Sequence, residues 1–148
     1  MDRSKRGSKH HLLVDANGTP LAARLTAANR HDITQLIPMV DAIPPVRGRA
    51  GRPLRRPIRL VADRGYDAED RCRRPLRERG ITPLIARRGD PHGSGLGVWR
   101  YVVEQTIALL HQFRRLRTRF DRRDDVHEAF MDLALCVICW RRLRGGYF

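Results

Sequence analysis

The chain has 148 residues, of which 41% are hydrophobic and 6% aromatic, so it can build one ordinary domain with a mainly aliphatic core, and wholesale disorder is excluded. Its 30 Lys and Arg against 16 Asp and Glu give a formal net charge of +14, which points to a polyanionic partner. Three cysteines give no disulfide framework, no apolar run approaches the ~20 residues of a membrane span, and no apolar stretch follows the charged N-terminus, so a reducing cytoplasm is expected.

Residues 12–14 are a short strand signal. Asn17-Gly18, within the stretch 15–20, then suggests a hairpin, because both residues accept the positive φ of a type I′ turn; residues 21–26 are the return strand. Asp32 or Thr34 can cap a helix in which Ile33, Leu36, Ile37 and Val40 recur at helical spacing. Pro38 is expected near its first turn, and Pro44-Pro45 end it. Residues 44–57 form a basic loop carrying Arg47, Arg49, Arg52, Arg55 and Arg56, either a phosphate-binding arm or a solvated insertion.

Residues 58–62 read as a strand that ends at Asp63. Asp67 is expected to cap a helix to about Arg79, stopped by Gly80, and residues 82–86 form another strand. Strand, helix, strand implies a parallel pair with a right-handed crossover. A loop with Gly89, Gly93, Gly95 and Gly97 leads to a long helix starting near Val98 or Trp99. Its apolar face takes Val102 or Val103, Thr106, Leu109 or Leu110, and Phe113, and the arginines of residues 114–119 close it. Asp124 is expected to cap the last helix, whose apolar face runs through Val126, Phe130, Leu133, Ala134, Val137 and Trp140 to Leu143, before Gly145-Gly146. Cys136 and Cys139 fall inside that run and read as buried structural cysteines, since no second Cys or His pair stands at a zinc-finger spacing.

Asp63 is the sharpest single residue. Catalytic groups gather at the C-terminal ends of strands in α/β sheets, and a carboxylate there needs a cation or a donor to compensate it. The alternative is an aspartate capping the next turn. Glu104 lies near the apolar side of its helix with Arg100 four residues earlier, as a functional carboxylate or as half of a surface ion pair. His10 and His11 are adjacent on a strand and so point to opposite faces. His31-Asp32 reads as a helix-capping pair, while His111 is either a phosphate contact or an ordinary solvent-facing histidine. Arg114, Arg115, Arg117 and Arg119 are a candidate DNA track, or a solvated helix end placed favourably for the helix dipole.

Residues 7–15 (GSKHHLLVD) with Asn17, Gly18 and Pro20 carry a family likeness, as do 25–29 (LTAAN) with His31-Asp32, and 62–67 (ADRGYD). The block 87–89 (RRG), the spacing Arg100-x-x-x-Glu104 and residues 113–116 (FRRL) extend it. Together, in this order and over nearly the whole chain, they resemble DDE-type bacterial insertion-sequence transposases.

The resemblance implies an α/β fold: a ribonuclease-H-like mixed sheet flanked by helices, its first strand missing, with a helical C-terminus. Residues 1–148 would be a single partial catalytic domain. The family's Asp-Asp-Glu triad holds two Mg²⁺ ions about 4 Å apart, which clamp the attacking and leaving oxygens at phosphorus. Asp63 matches the second carboxylate, Glu104 the third, and Arg100 the signature arginine. His111 stands where relatives carry Lys, Gly97 where they carry Tyr, and Gln105 where many carry Arg. The first Asp belongs on an upstream strand; Asp15, at the hairpin turn, and Asp2 are the candidates in this chain, with turn capping as the alternative for Asp15.

The implied activity is metal-dependent phosphodiester cleavage and strand transfer in DNA transposition. Transposon ends and target DNA would be the partners, in an oligomeric complex at the bacterial nucleoid, with no membrane. The chain is then expected to be the downstream half of a transposase, joined to an upstream half, or a truncated copy. The alternative is a non-catalytic basic DNA-binding remnant. A basic RNA-binding domain is the weaker third reading, for want of aromatic stacking signatures.

Overall fold

The structure is a computed structural model that describes residues 7–48, 50–89 and 97–145. Asp2, Lys5, Arg49, Gly93, Gly95 and Gly146 lie outside the described residues. The chain is mixed α/β, with small sheets and helices, and its contacts group it into two compact units: Met1–Arg30 with Val102–Phe148, and His31–Tyr101.

In the first unit, β1 (Ser8–Val14) pairs antiparallel with β2 (Pro20–Ala27), from Ser8 opposite Ala27 to Leu13 opposite Ala22, then slips by one residue at Val14. The turn is set differently from the expected Asn-Gly register. Gly18 N–H donates to Asp15 C=O at 3.0 Å, so Ala16 and Asn17 occupy its centre. Asp15 Oδ1 accepts from Asn17 N (2.9 Å) and Thr19 N (2.8 Å), and this side-chain cap fixes the register. Gly18 then takes φ +81°, a conformation that costs glycine little.

The rest of this unit is helical: α3 (Gly97–His111, entering this unit at Val102), α4 (Arg114–Arg117) and α5 (Asp124–Leu143). Its core is Leu109, Leu110, Leu116, Met131, Ala134 and Ile138, with Leu12, Ala23, Leu25, Phe113, Phe130 and Leu135 packed against them. Two expectations are corrected. The arginines after Phe113 do not close the long helix but form a separate short one, because Phe113 is extended (φ −76°, ψ 112°). And α5 buries His127, Met131, Ala134 and Ile138, while Leu133 and Trp140 stand 63% and 60% exposed and Cys136 is exposed. The helix carries two apolar stripes, and the core takes the one through Met131 and Ile138. Asp124 does not cap this helix but is its first residue, beside Asp125 in the first turn, where the helix dipole favours acids.

The second unit holds α1 (Ile33–Asp41), β3 (Arg59–Ala62), a 3₁₀ turn (Arg64–Tyr66), a π turn (Glu69–Arg73), α2 (Arg74–Glu78) and β4 (Thr82–Ile85). β3 and β4 are parallel, Arg59 opposite Thr82 through Ala62 opposite Ile85. Among the described residues the four strands thus form two two-stranded sheets. Leu36, Met39, Val40, Ile43, Leu60, Cys72, Leu76, Ile81 and Ile85 are this unit's buried apolar residues. Arg79 donates to both oxygens of Asp41 at 2.8 Å, tying the end of α2 to the end of α1. Gly80, at φ +73°, stops the helix as expected.

Three local expectations change here. Pro38 sits in the second turn of α1, where it withholds the donor that the Thr34 carbonyl would receive. Asp32 is already helical and makes no side-chain cap bond; His31 supplies the acceptors, its carbonyl taking Thr34 N (3.0 Å) and Thr34 Oγ1 (2.7 Å). Ala68, not Asp67, precedes the helical segment, which opens with a π turn. The basic loop is closed by paired bonds between Val46 and Leu54 (2.8 and 3.0 Å), with Arg47, Arg52, Arg55 and Arg56 exposed.

Candidate active site

Asp63 follows the last residue of β3 with extended backbone (φ −74°, ψ 173°) and an exposed side chain. Its Oδ1 accepts from Gly65 N at 2.9 Å, so it does cap the turn. A Cβ at residue 65 would lie 2.9 Å from that oxygen, so only glycine lets the carboxylate fold over the turn in this way. Tyr66 comes next. Burial, then the charges of Asp32 and Asp63, push its hydroxyl up to about 12, which keeps it protonated beside two carboxylates.

Asp67 braces the same segment. Its Oδ1 accepts from Arg73 Nε (3.2 Å) and Nη2 (2.8 Å), and its Oδ2 from Arg88 N (2.7 Å). These bonds, first the Arg88 amide and then Arg73, hold its carboxyl below the ordinary range. Arg73 is only 7% exposed, and its Nη2 also donates to Ile85 C=O at 2.9 Å. The segment after β3 and the segment after β4 are thereby joined through one carboxylate. Sequence reading assigned Asp67 to a cap and missed Arg73 and Tyr66, for the long-range bonds leave no local signal.

Glu104 is exposed on α3, as is Arg100. The buried side of that helix runs through Thr106, Leu109 and Leu110. Thr106 Oγ1 donates to Gly18 C=O at 2.9 Å, seating the hairpin turn on α3. Two residues are about 200° of helical rotation, so Glu104 points away from that seat and from the turn-capping Asp15. Asp63 belongs to the His31–Tyr101 unit and Glu104 to the other; each is described within its own unit. Both offer hard oxygen donors of the kind that divalent Mg²⁺ or Mn²⁺ takes. Among the described residues no group of three or more His, Cys, Asp or Glu is gathered to hold a metal.

The cationic candidates divide. Arg114 and Arg115 are exposed but lie over aromatic rings, Arg114 5.9 Å from Phe120 and Arg115 4.6 Å from Phe130, and Arg115 also meets Asp121 at 3.3 Å. Arg117 is exposed. Arg119 is directed inward, donating to Ser8, to Asp124 and to the Asp121 (2.8 Å) and Arg122 (3.1 Å) carbonyls. His111 is exposed, its ring 5.9 Å from His10. No helix among the described residues is long and apolar enough to cross a membrane.

The chain belongs to the family described as the transposase DDE domain, which matches residues 2–95, more than half of its length. Asp63 lies inside that match and Glu104 beyond it. The chain is 63% identical over 143 residues to a Burkholderia cepacia protein named as a transposase for insertion sequence element IS402. That similarity covers 97% of this chain and 67% of the relative. It is 31% identical over 130 residues to the transposase for insertion sequence element IS1106 of Neisseria meningitidis serogroup B, covering 78% of this chain and 40% of that protein. This chain therefore spans two thirds or less of the curated relatives it matches. No solved structure matches it.

Proposed function

We propose that this chain is part of the catalytic core of an insertion-sequence transposase, with Asp63 and Glu104 as two of its three metal-binding carboxylates. The observation that carries the reading is Asp63: an exposed carboxylate directly after a parallel strand, held by one backbone N–H and embedded in the family's Ala-Asp-Arg-Gly-Tyr-Asp block. The proposed fold is ribonuclease-H-like, and residues 1–148 act as one partial catalytic domain. The central strand and first Asp come from a further segment, as in a downstream half or a truncated copy.

A divalent ion, Mg²⁺ in this reading, supplies Lewis-acid polarisation of a phosphoryl oxygen and activation of water. The residues of this chain do the positioning. Gly65 N–H fixes one oxygen of Asp63 and so orients the carboxylate. Asp67 holds the flanking segment in place through Arg73 and Arg88. Tyr66 presents a protonated hydroxyl beside the acids. Arg100, His111, Arg114, Arg115, Arg117 and Arg119 are the proposed DNA-contacting cations, and the DNA comprises transposon ends and target.

The exposed Arg114, Arg115 and Arg117 also favour a second reading, a non-catalytic DNA-binding chain whose affinity rests on phosphates and falls steeply with salt. Mn²⁺ titration by calorimetry, paired with a supercoiled-DNA nicking assay, separates the two. The catalytic-part reading expects Mn²⁺ binding that weakens in both Asp63→Asn and Glu104→Gln. DNA binding with no Mn²⁺ dependence, unchanged in both variants, would leave the second reading standing.

A further inference from the structure

The solvent face of α5 has a periodicity of its own. Ala129, Leu133, Cys136, Trp140 and Leu143 recur at intervals of four, three, four and three residues, and all five are exposed. This is the 3.5-residue repeat of a helix-pairing seam, lying opposite the stripe that the core already uses. Single exposed apolar residues are ordinary, but a seam about 21 Å long on one helix face is not. The charges beside it are sorted along the helix axis: Asp125, Glu128 and Asp132 are exposed at its start, Arg141 and Arg144 at its end.

We propose that this face pairs with the same face of a second copy of the chain, antiparallel about a twofold axis at Cys136. Antiparallel pairing sets the acidic start of one helix against the basic end of the other, whereas parallel pairing sets like charge on like. An isologous contact needs one self-complementary patch, and the symmetry fixes its partners. Ala129 faces Leu143 of the second copy, Leu133 faces Trp140, Glu128 faces Arg144, and Cys136 faces its own counterpart. Arg144, which lies 5.9 Å from its own Trp140 ring, edges the seam and meets the opposing carboxylate. The inference does not depend on the catalytic reading, since none of these residues belongs to the proposed site.

The test is sedimentation velocity on the full chain across a concentration series, with Trp140→Glu, Glu128→Arg, Arg144→Glu and the double charge swap. Circular dichroism of each variant checks that the fold is kept, and every substituted side chain is exposed. The expected result is a dimer that Trp140→Glu abolishes. Each single charge reversal should weaken it by about tenfold, and the double swap should restore it. A short bismaleimide should cross-link the dimer through Cys136, so that Cys136→Ser loses the product and Cys139→Ser keeps it. A monomer at every concentration, a dimer indifferent to Trp140→Glu, or a face that binds anionic lipid vesicles as a monomer each overturns the proposal.

Discussion

The Nε2 atoms of His10, on β1, and His127, on α5, lie 3.1 Å apart. Their ring centroids are 5.3 Å apart and the rings are tilted by only 18°, so the imidazoles meet nearly end to end and share one proton. Nδ1 of His127 is buried with no hydrogen-bond partner, which favours His127 as the donor, leaving Nδ1 a bare acceptor rather than an orphaned N–H. A second proton would set two N–H groups head on.

This contact makes stability pH-dependent. Burial, then the neighbouring His127, His111 and His11, pull the His10 pKa from 6.5 down to about 4. Burial and Arg119 lower that of His127, against the opposing pull of Asp121 and Asp124. The unfolded imidazole gains its proton near pH 6.5, while the folded one resists until about pH 4. The stability is therefore complete above pH 6.5 and is lost as the pH falls through that window. With allowance for solvent screening, His10 contributes about 2 kcal/mol of that loss. Urea unfolding at pH 4.5 and 7.5 should show it, and His10→Gln should flatten the difference. An undiminished pH dependence in His10→Gln would place its source elsewhere.

Asp67→Asn should be more costly than an exposed aspartate warrants. It leaves Arg73, 7% exposed, without its carboxylate and weakens the acceptor for Arg88 N–H. Removing one partner of a buried charged pair destabilises by roughly 3 kcal/mol. Asp70→Asn, whose pairing with Arg74 is exposed, should cost well under 1 kcal/mol, and equal losses in chemical denaturation would contradict the distinction.

Gly18 and Gly51 separate backbone strain from packing. Both have positive φ, +81° and +125°, but a Cβ at Gly51 meets nothing within 4 Å. At Gly18 it would lie 2.9 Å from Arg142 Nη2, 3.0 Å from Thr106 Oγ1 and 3.3 Å from Val102 Cγ1. Gly51→Ala is expected to cost about 1 kcal/mol, and Gly18→Ala roughly 3 kcal/mol. Thermal melts of the two variants measure the gap.

Gly65→Ala should act on metal binding rather than on folding. Gly65 has no positive φ, so the substitution carries no backbone penalty, yet the new Cβ must displace Asp63 Oδ1. Mn²⁺ affinity is expected to drop while the melting temperature holds within a few degrees. Unaltered Mn²⁺ binding would mean that the turn does not orient a metal ligand.

The hairpin, the parallel strand pair and the position of Asp63 were legible because each rests on local rules: alternation, short apolar runs and turn residues. The turn register was not, because Asp15 recruits backbone donors with its side chain and so moves the turn centre one residue earlier. The buried face of α5 was misassigned for a different reason. Apolar residues lie on both sides of that helix, and periodicity alone does not say which side meets the core. The histidine contact joins residues 117 positions apart, and the Asp67 brace reaches 21 residues to Arg88, so neither has a signature in any short window. The family resemblance supplied the pairing of Asp63 with Glu104, which no local rule would have suggested.

The bond from Arg88 N to Asp67 makes a single backbone amide, beyond β4, a reporter on the turn that follows β3. Its hydrogen exchange should slow whenever that turn is clamped and quicken whenever it is released. A ligand at Asp63 could thus be followed through a proton that it never touches.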